Sequence, residues 1–170
     1  ATGFAAPGAG TRSFYLLHSP TSAGASQSLT LNRVLFPATN SRVTFKSLLG
    51  YATTTETARV SVSTNDGASW LDLYSQAGSG GPGESSFTLK TLSLSNHAAR
   101  ATRLRFSYDS IPALGYYTNI MPGLVGWSLD DIVITNCEQL VSTTTNASAT
   151  TNFVFTPAQP GGYNLEARAL

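Results

Sequence analysis

Asp130 and Asp131 are the two side chains of this sequence best suited to chemistry. They stand side by side in the stretch from Gly126 to Thr135, among β-branched and large apolar residues. Two carboxylates can work as acid and base on one sugar, or hold a hard cation through oxygen. Acid–base work needs both carboxyls facing one gap, roughly 5–10 Å apart. Neighbours on a strand point to opposite faces. Simple alternation then puts Trp127, Leu129, Asp131 and Val133 on one face, and Ser128, Asp130, Ile132 and Ile134 on the other. Unless a bulge turns one acid, that geometry disfavours catalysis. A carboxylate in such apolar company still needs a partner. Three duties stay open: bonds from backbone N–H groups of a neighbouring strand, an ion pair with Arg103, Arg105 or Arg12, or contact with Ca2+. For calcium, further oxygens would come from the N-terminal lead-in or the Glu84 loop.

Glu84 follows Gly78, Gly80, Gly81, Pro82 and Gly83. This reads as a flexible loop with a solvated acid, and a metal or ligand contact is the alternative. No helix and no Lys-Ser/Thr pair follow, so the glycines do not make a phosphate cradle. Tyr116 and Tyr117 lie in the longest irregular segment, Asp109 to Val125; Tyr51 lies elsewhere. Exposed aromatic rings stack on the apolar faces of sugars, so Tyr116, Tyr117 and Tyr51 are the candidate ligand contacts. The alternative is that the rings tuck the loop onto the domain. His18 and His97 lack metal-ligand spacing. Cys137 is the single cysteine, so an intrachain disulfide is impossible. No His lies near it in sequence, and a half-buried strand end is its expected place. With no Gly-x-Ser-x-Gly either, no catalytic residue is expected. Asn146-Ala-Ser148 matches a glycosylation sequon.

These residues must be positioned by strands. Alternating apolar patterns fall at Arg12 to His18, Ser28 to Phe36, Arg42 to Tyr51, Ala58 to Ser63 and Trp70 to Tyr74. Further ones fall at Phe87 to Leu94, Thr102 to Tyr108 and the stretch carrying the acids. Pro37 to Ser41 is expected to end the second. No convincing helical repeat exists. About eight short strands with turn signals argue for a β-sandwich of two antiparallel sheets. Ser63-Thr-Asn-Asp-Gly-Ala-Ser-Trp70 resembles an Asp-box, with Asn65 at the usual Asp position. It predicts a hairpin tip closed by a side chain, with Gly67 at positive φ and Trp70 packed beneath. A single such box does not support a propeller.

Charged residues make up only 11% of the chain, against about 25% in a typical domain. Ser and Thr supply about a quarter. That balance suits an extracellular all-β module. The net charge is +1, with no basic cluster, so nucleic acid and anionic membrane are not implied partners. No apolar run approaches the roughly 20 residues of a membrane span. Ala1 to Gly10 has neither a charged n-region nor a long apolar run, so no signal peptide is read there. The chain reads as a processed piece of something longer.

Three blocks in order carry a family resemblance: Ala58 to Trp70, Thr102 to Tyr108 and Gly126 to Ile134. Together they resemble the MAM-like modules attached to secreted bacterial hydrolases, including immune-inhibitor-A-type metallopeptidases. The resemblance spans roughly Arg12 to Asn136. It implies a jelly-roll sandwich without catalytic residues, and calcium held in part by Asp130 or Asp131. The peptidase motif His-Glu-x-x-His is absent. The expected organisation is a jelly-roll module over residues 1–137, a Ser/Thr-rich linker over 138–151 and a terminal hairpin over 152–170. That hairpin resembles the start of an immunoglobulin-like module. The expected function is a secreted or cell-surface accessory module that binds polysaccharide and is covalently linked to a catalytic domain. The alternative is a structural or adhesive spacer with no small ligand.

Overall fold

The structure is a computed structural model that describes residues 13–17, 26–110, 125–141, 154, 156 and 157. Among the described residues eight strands run in chain order: β1 (Phe14–Leu16), β2 (Gln27–Thr30), β3 (Leu35–Leu49), β4 (Glu56–Ser63), β5 (Leu71–Ala77), β6 (Thr88–Ser93), β7 (Arg103–Ser110) and β8 (Trp127–Gln139). They form two four-stranded sheets, ordered β1-β8-β3-β6 and β2-β7-β4-β5. Every strand pairing is antiparallel. The pairings nest: β4 with β5, β3 with β6, β2 with β7 and β1 with β8. The all-β sandwich expected from the sequence is therefore the fold.

The core lies between the sheets. Val43 and Phe45 face it from β3, Ala58, Val60 and Val62 from β4, and Leu104, Phe106 and Tyr108 from β7. Alternation predicts each of these sets. Trp127 is the hub: it is fully buried, lies 6.4 Å from Phe45 and 6.1 Å from Phe106 between ring centroids, and donates Nε1–H to Ser47 Oγ at 2.9 Å. Phe45 and Phe106 meet edge to face at 5.3 Å, a favoured aromatic geometry.

β3 differs from expectation. The chain does not break at Pro37 to Ser41 but continues through it as one strand. Pro37 pairs only with Cys137 of β8, because β6 covers β3 from Arg42 to Ser47. A missing N–H is tolerated where one flank has no neighbouring strand. Ser41 closes the irregularity: its Oγ accepts from Ala38 N at 2.7 Å and donates to the Asn136 carbonyl. The real break is earlier, at residues 31–34, between β2 and β3. β8 extends to Gln139, past the boundary expected at Cys137.

One end of the core is polar. Glu56 is fully buried; its Oε2 accepts from Thr53 N at 2.7 Å, while Oε1 has no partner. The Tyr108 hydroxyl also lacks one. Burial, and secondarily the Glu56 carboxyl, push the Tyr108 phenol far above its ordinary range. Burial raises Tyr15 as well. The consequence for stability has a definite sign. Below about pH 10 the phenols are protonated in both states and the contribution is complete. Above it the unfolded chain ionises and Tyr108 does not, so stability falls as pH rises. Tyr108→Phe is expected to flatten that alkaline decline. Superimposable urea midpoints for variant and parent from about pH 9 to 12 would refute it.

Candidate functional site

The acid pair sits on a β-bulge. Thr44 of β3 faces Val133 and Lys46 faces Asp130, so Asp131 and Ile132 together oppose Phe45. Asp131 has φ +48, the left-handed region in which Asp is among the tolerated residues. The extra residue resets the alternation. Trp127 and Leu129 face the core before it, and Ile132 and Ile134 pack on the core after it. Both acids are therefore left on the outer side of the sheet, which corrects the opposite-face expectation. The pair is divided by its bonds instead. Asp131 Oδ2 lies 2.7 Å from Lys46 Nζ, and neither Arg103 nor Arg105 pairs with it; Arg12 lies outside the described residues. Asp130 Oδ1 accepts from Asp131 N at 2.9 Å, while its buried Oδ2 has no partner. Ser128, two residues before and on the same face, is buried with an unpartnered Oγ.

Glu84 is not a solvated acid. Its Oε2 accepts from Leu49 N at 2.8 Å, its N–H donates to Leu49 O at 2.8 Å, and Oε1 lies 3.8 Å from Lys90 Nζ. The glycine loop that carries it is pinned to residues 49–56. Gly78 N donates to Glu56 O and Gly80 N to Ala52 O. A Cβ at Gly83 would stand 2.1 Å from Gly50 O, and one at Gly78 2.3 Å from Ala52 O, so only glycine permits the approach. Glu84 and the acidic bulge are held by separate partners. Among the described residues no three His, Cys, Asp or Glu side chains converge as a metal group.

Tyr51 is half-buried and bridges Val125, and its carbonyl accepts from Gly126 N at 2.9 Å. Tyr116, Tyr117 and Asn146 lie outside the described residues, as do most of 138–151 and 152–170. Cys137 packs against the core, and burial raises its thiol above the ordinary value, which disfavours the thiolate a nucleophile needs.

An open groove was not legible in the sequence. It holds about 580 Å3 and lies between the Asp-box hairpin with β5 and the 3-10 turn Ser95–His97. Trp70, Ser69, Asp72, Asn96, His97 and Arg100 are among its lining residues. The hairpin tip itself follows expectation. Asn65 Oδ1 accepts from Ser69 N at 2.9 Å and from Ser63 Oγ at 2.8 Å, and Gly67 has φ +92. Trp70 is more than packing for that tip: the Arg105 guanidinium lies over its ring at 4.1 Å, and the ring lines the groove. The available signal was an aromatic residue at the end of a rigid turn, but its partners Asn96 and Arg100 are distant in sequence.

No family of known proteins matches this chain, and no curated protein matches it.

Proposed function

We propose that the chain is a non-catalytic accessory module of a secreted bacterial enzyme and that it binds carbohydrate. The groove at Trp70 carries the reading. A sugar ring offers apolar C–H faces to an aromatic ring and hydroxyls to planar polar groups. Trp70, Asn96, Arg100 and Ser69 provide both kinds of contact within one cleft. The order of the three sequence blocks supports the MAM-like relationship, and the nested strand pairing supports the jelly-roll form of the sandwich. In that reading a catalytic domain is covalently attached and works outside the cell, and this module holds the enzyme on its polymer.

Affinity electrophoresis against a panel of polysaccharides tests the proposal. At least one polymer is expected to retard the chain, and Trp70→Ala to lose at least ten-fold in affinity. No retardation by any polymer would sink it. Tyr116→Ala tests the long segment in the same gels.

One observation favours the spacer reading. On the outer face of the β2-β7-β4-β5 sheet, Arg59 bonds Asp72 at 2.5 Å and Asp109 at 3.2 Å, and Arg103 bonds Asp66 at 2.5 Å. Those charges already satisfy one another and ask for no ligand.

The acidic bulge also fits a calcium contact in part. Asp130 Oδ2 and Ser128 Oγ are two buried, unpartnered oxygens, and Ca2+ takes six to eight oxygen ligands in all. When bound, the ion would supply the countercharge that Asp130 Oδ2 lacks. Thermal unfolding is expected to shift upward by a few degrees with calcium and back with chelator, and Asp130→Asn to abolish the response. An unchanged midpoint removes the metal.

A further inference from the structure

Charge in the Trp70 groove is unbalanced, and the imbalance specifies a ligand. Asp72 is the carboxylate among the groove's lining residues. Both of its oxygens are engaged: Oδ1 accepts from Ser61 Oγ at 2.7 Å, and Oδ2 pairs with Arg59 at 2.5 Å. Asp72 is thus directed toward the sheet and neutralised by it. Arg100 is exposed in the same groove, and among the described residues no carboxylate pairs with it. Among the described residues Arg105, on the Trp70 ring, has no carboxylate either, and its buried Nε has no hydrogen-bond partner. Arg100 thus shares the groove with Trp70, and Arg105 lies over the indole; neither has a carboxylate partner among the described residues. Elsewhere Arg59, Arg103, Lys46 and Lys90 each have an acid, while Arg33 and Arg42 are exposed with no acid among the described residues; Arg100 differs from those two in lining a groove that also holds an aromatic ring.

We propose that this groove takes an acidic saccharide unit, its carboxylate or sulfate on Arg100 and its ring against Trp70; the inference rests on the carbohydrate reading above. A guanidinium presents a planar fork of donors that matches a carboxylate or sulfate. Asn96 and Ser69 line the same groove and supply donors and acceptors for the hydroxyls. Arg105 adds positive potential behind the ring. That potential is screened over about 8–10 Å at ordinary ionic strength, so the preference for an acidic sugar weakens with salt while stacking on Trp70 does not.

Matched polymers that differ only in charge test the inference. De-esterified polygalacturonate is compared with its methyl-esterified form, and dextran sulfate with dextran, by affinity electrophoresis of the full chain. Polyglutamate serves as the anionic polymer without sugar rings. One acidic polymer is expected to bind at least ten-fold more tightly than its neutral partner and than polyglutamate. Arg100→Ala is expected to erase that margin without unfolding, because Arg100 is exposed. Trp70→Phe is expected to weaken both members of the pair. Equal binding of charged and neutral forms, or a margin unaffected by Arg100→Ala, overturns the acidic preference and leaves the carbohydrate reading standing. Polyglutamate binding as tightly as the acidic sugars overturns recognition of the sugar. Failure of every polymer overturns both.

Discussion

Replacing Trp127 with alanine is expected to cost about 3–5 kcal/mol of folding free energy, a fall in Tm of roughly 10–15 °C for a chain of this size. The ring is fully buried where the two sheets meet and touches Phe45 of one and Phe106 of the other. Its removal leaves a cavity that neither sheet can close, because each is fixed by its own ladder. It also strips Ser47 Oγ of the indole N–H at 2.9 Å. Trp127→Phe separates the two effects. It keeps most of the apolar contact and abandons the hydrogen bond, so a smaller loss of about 1–3 kcal/mol is expected. Urea unfolding of both variants provides the measurement, and a loss below about 1 kcal/mol for the alanine variant would show that Trp127 is not the hub.

Deletion of single residues in β8 should give opposite results one position apart. Removing Asp131 is expected to change stability by no more than about 1.5 kcal/mol; removing Ile132 is expected to unfold the chain. Asp131 is the extra residue of the bulge. Without it Ile132 falls opposite Phe45 in regular register, and Leu129, Ile132 and Ile134 keep facing the core. The deletion forfeits the Lys46 ion pair, whose side chains are 26% and 33% exposed and which is worth only a few tenths of a kcal/mol. It also relieves a non-glycine residue at φ +48, a conformation that costs about 1–3 kcal/mol. Removing Ile132 has no such compensation. Either the Asp131 carboxyl enters a core position or Ile134 turns to solvent, and an unpaired carboxyl there costs several kcal/mol. Far-ultraviolet circular dichroism with urea titration distinguishes the two. A folded Ile132 deletion of parental stability would show that the bulge does not set the register.

The bulge marks the limit of what alternation can reveal. Period-two patterning assigned Val60, Val62, Leu104 and Phe106 to the core because each strand was regular and facing follows from counting. In β8 the same counting put Asp130 and Asp131 on opposite faces. The bulge that overturns this depends on pairing with β3, a partner far away in the chain. Similar reasoning separates the Asp-box from the Glu84 loop. The hairpin tip is closed by Ser63, Asn65, Gly67 and Ser69, all local, so residue types and spacing were enough. Glu84 looked solvated because its true partners, Leu49 and Lys90, come from other strands. Pro37 looked like a strand end because proline lacks a donor, while the structure places it where no neighbouring strand needs one.

The sequence by itself determined the all-β class, eight strands, two sheets and most inward-facing positions, since these follow from local alternation, turn chemistry and the absence of helical periodicity. Tertiary structure alone decided which acids stand together, which cations keep a partner and where a ligand fits. Trp70, Asn96 and Arg100 meet only because the hairpin before β5 folds beside the turn after β6. A groove is a property of two segments packed side by side, and residue spacing within either one does not encode it.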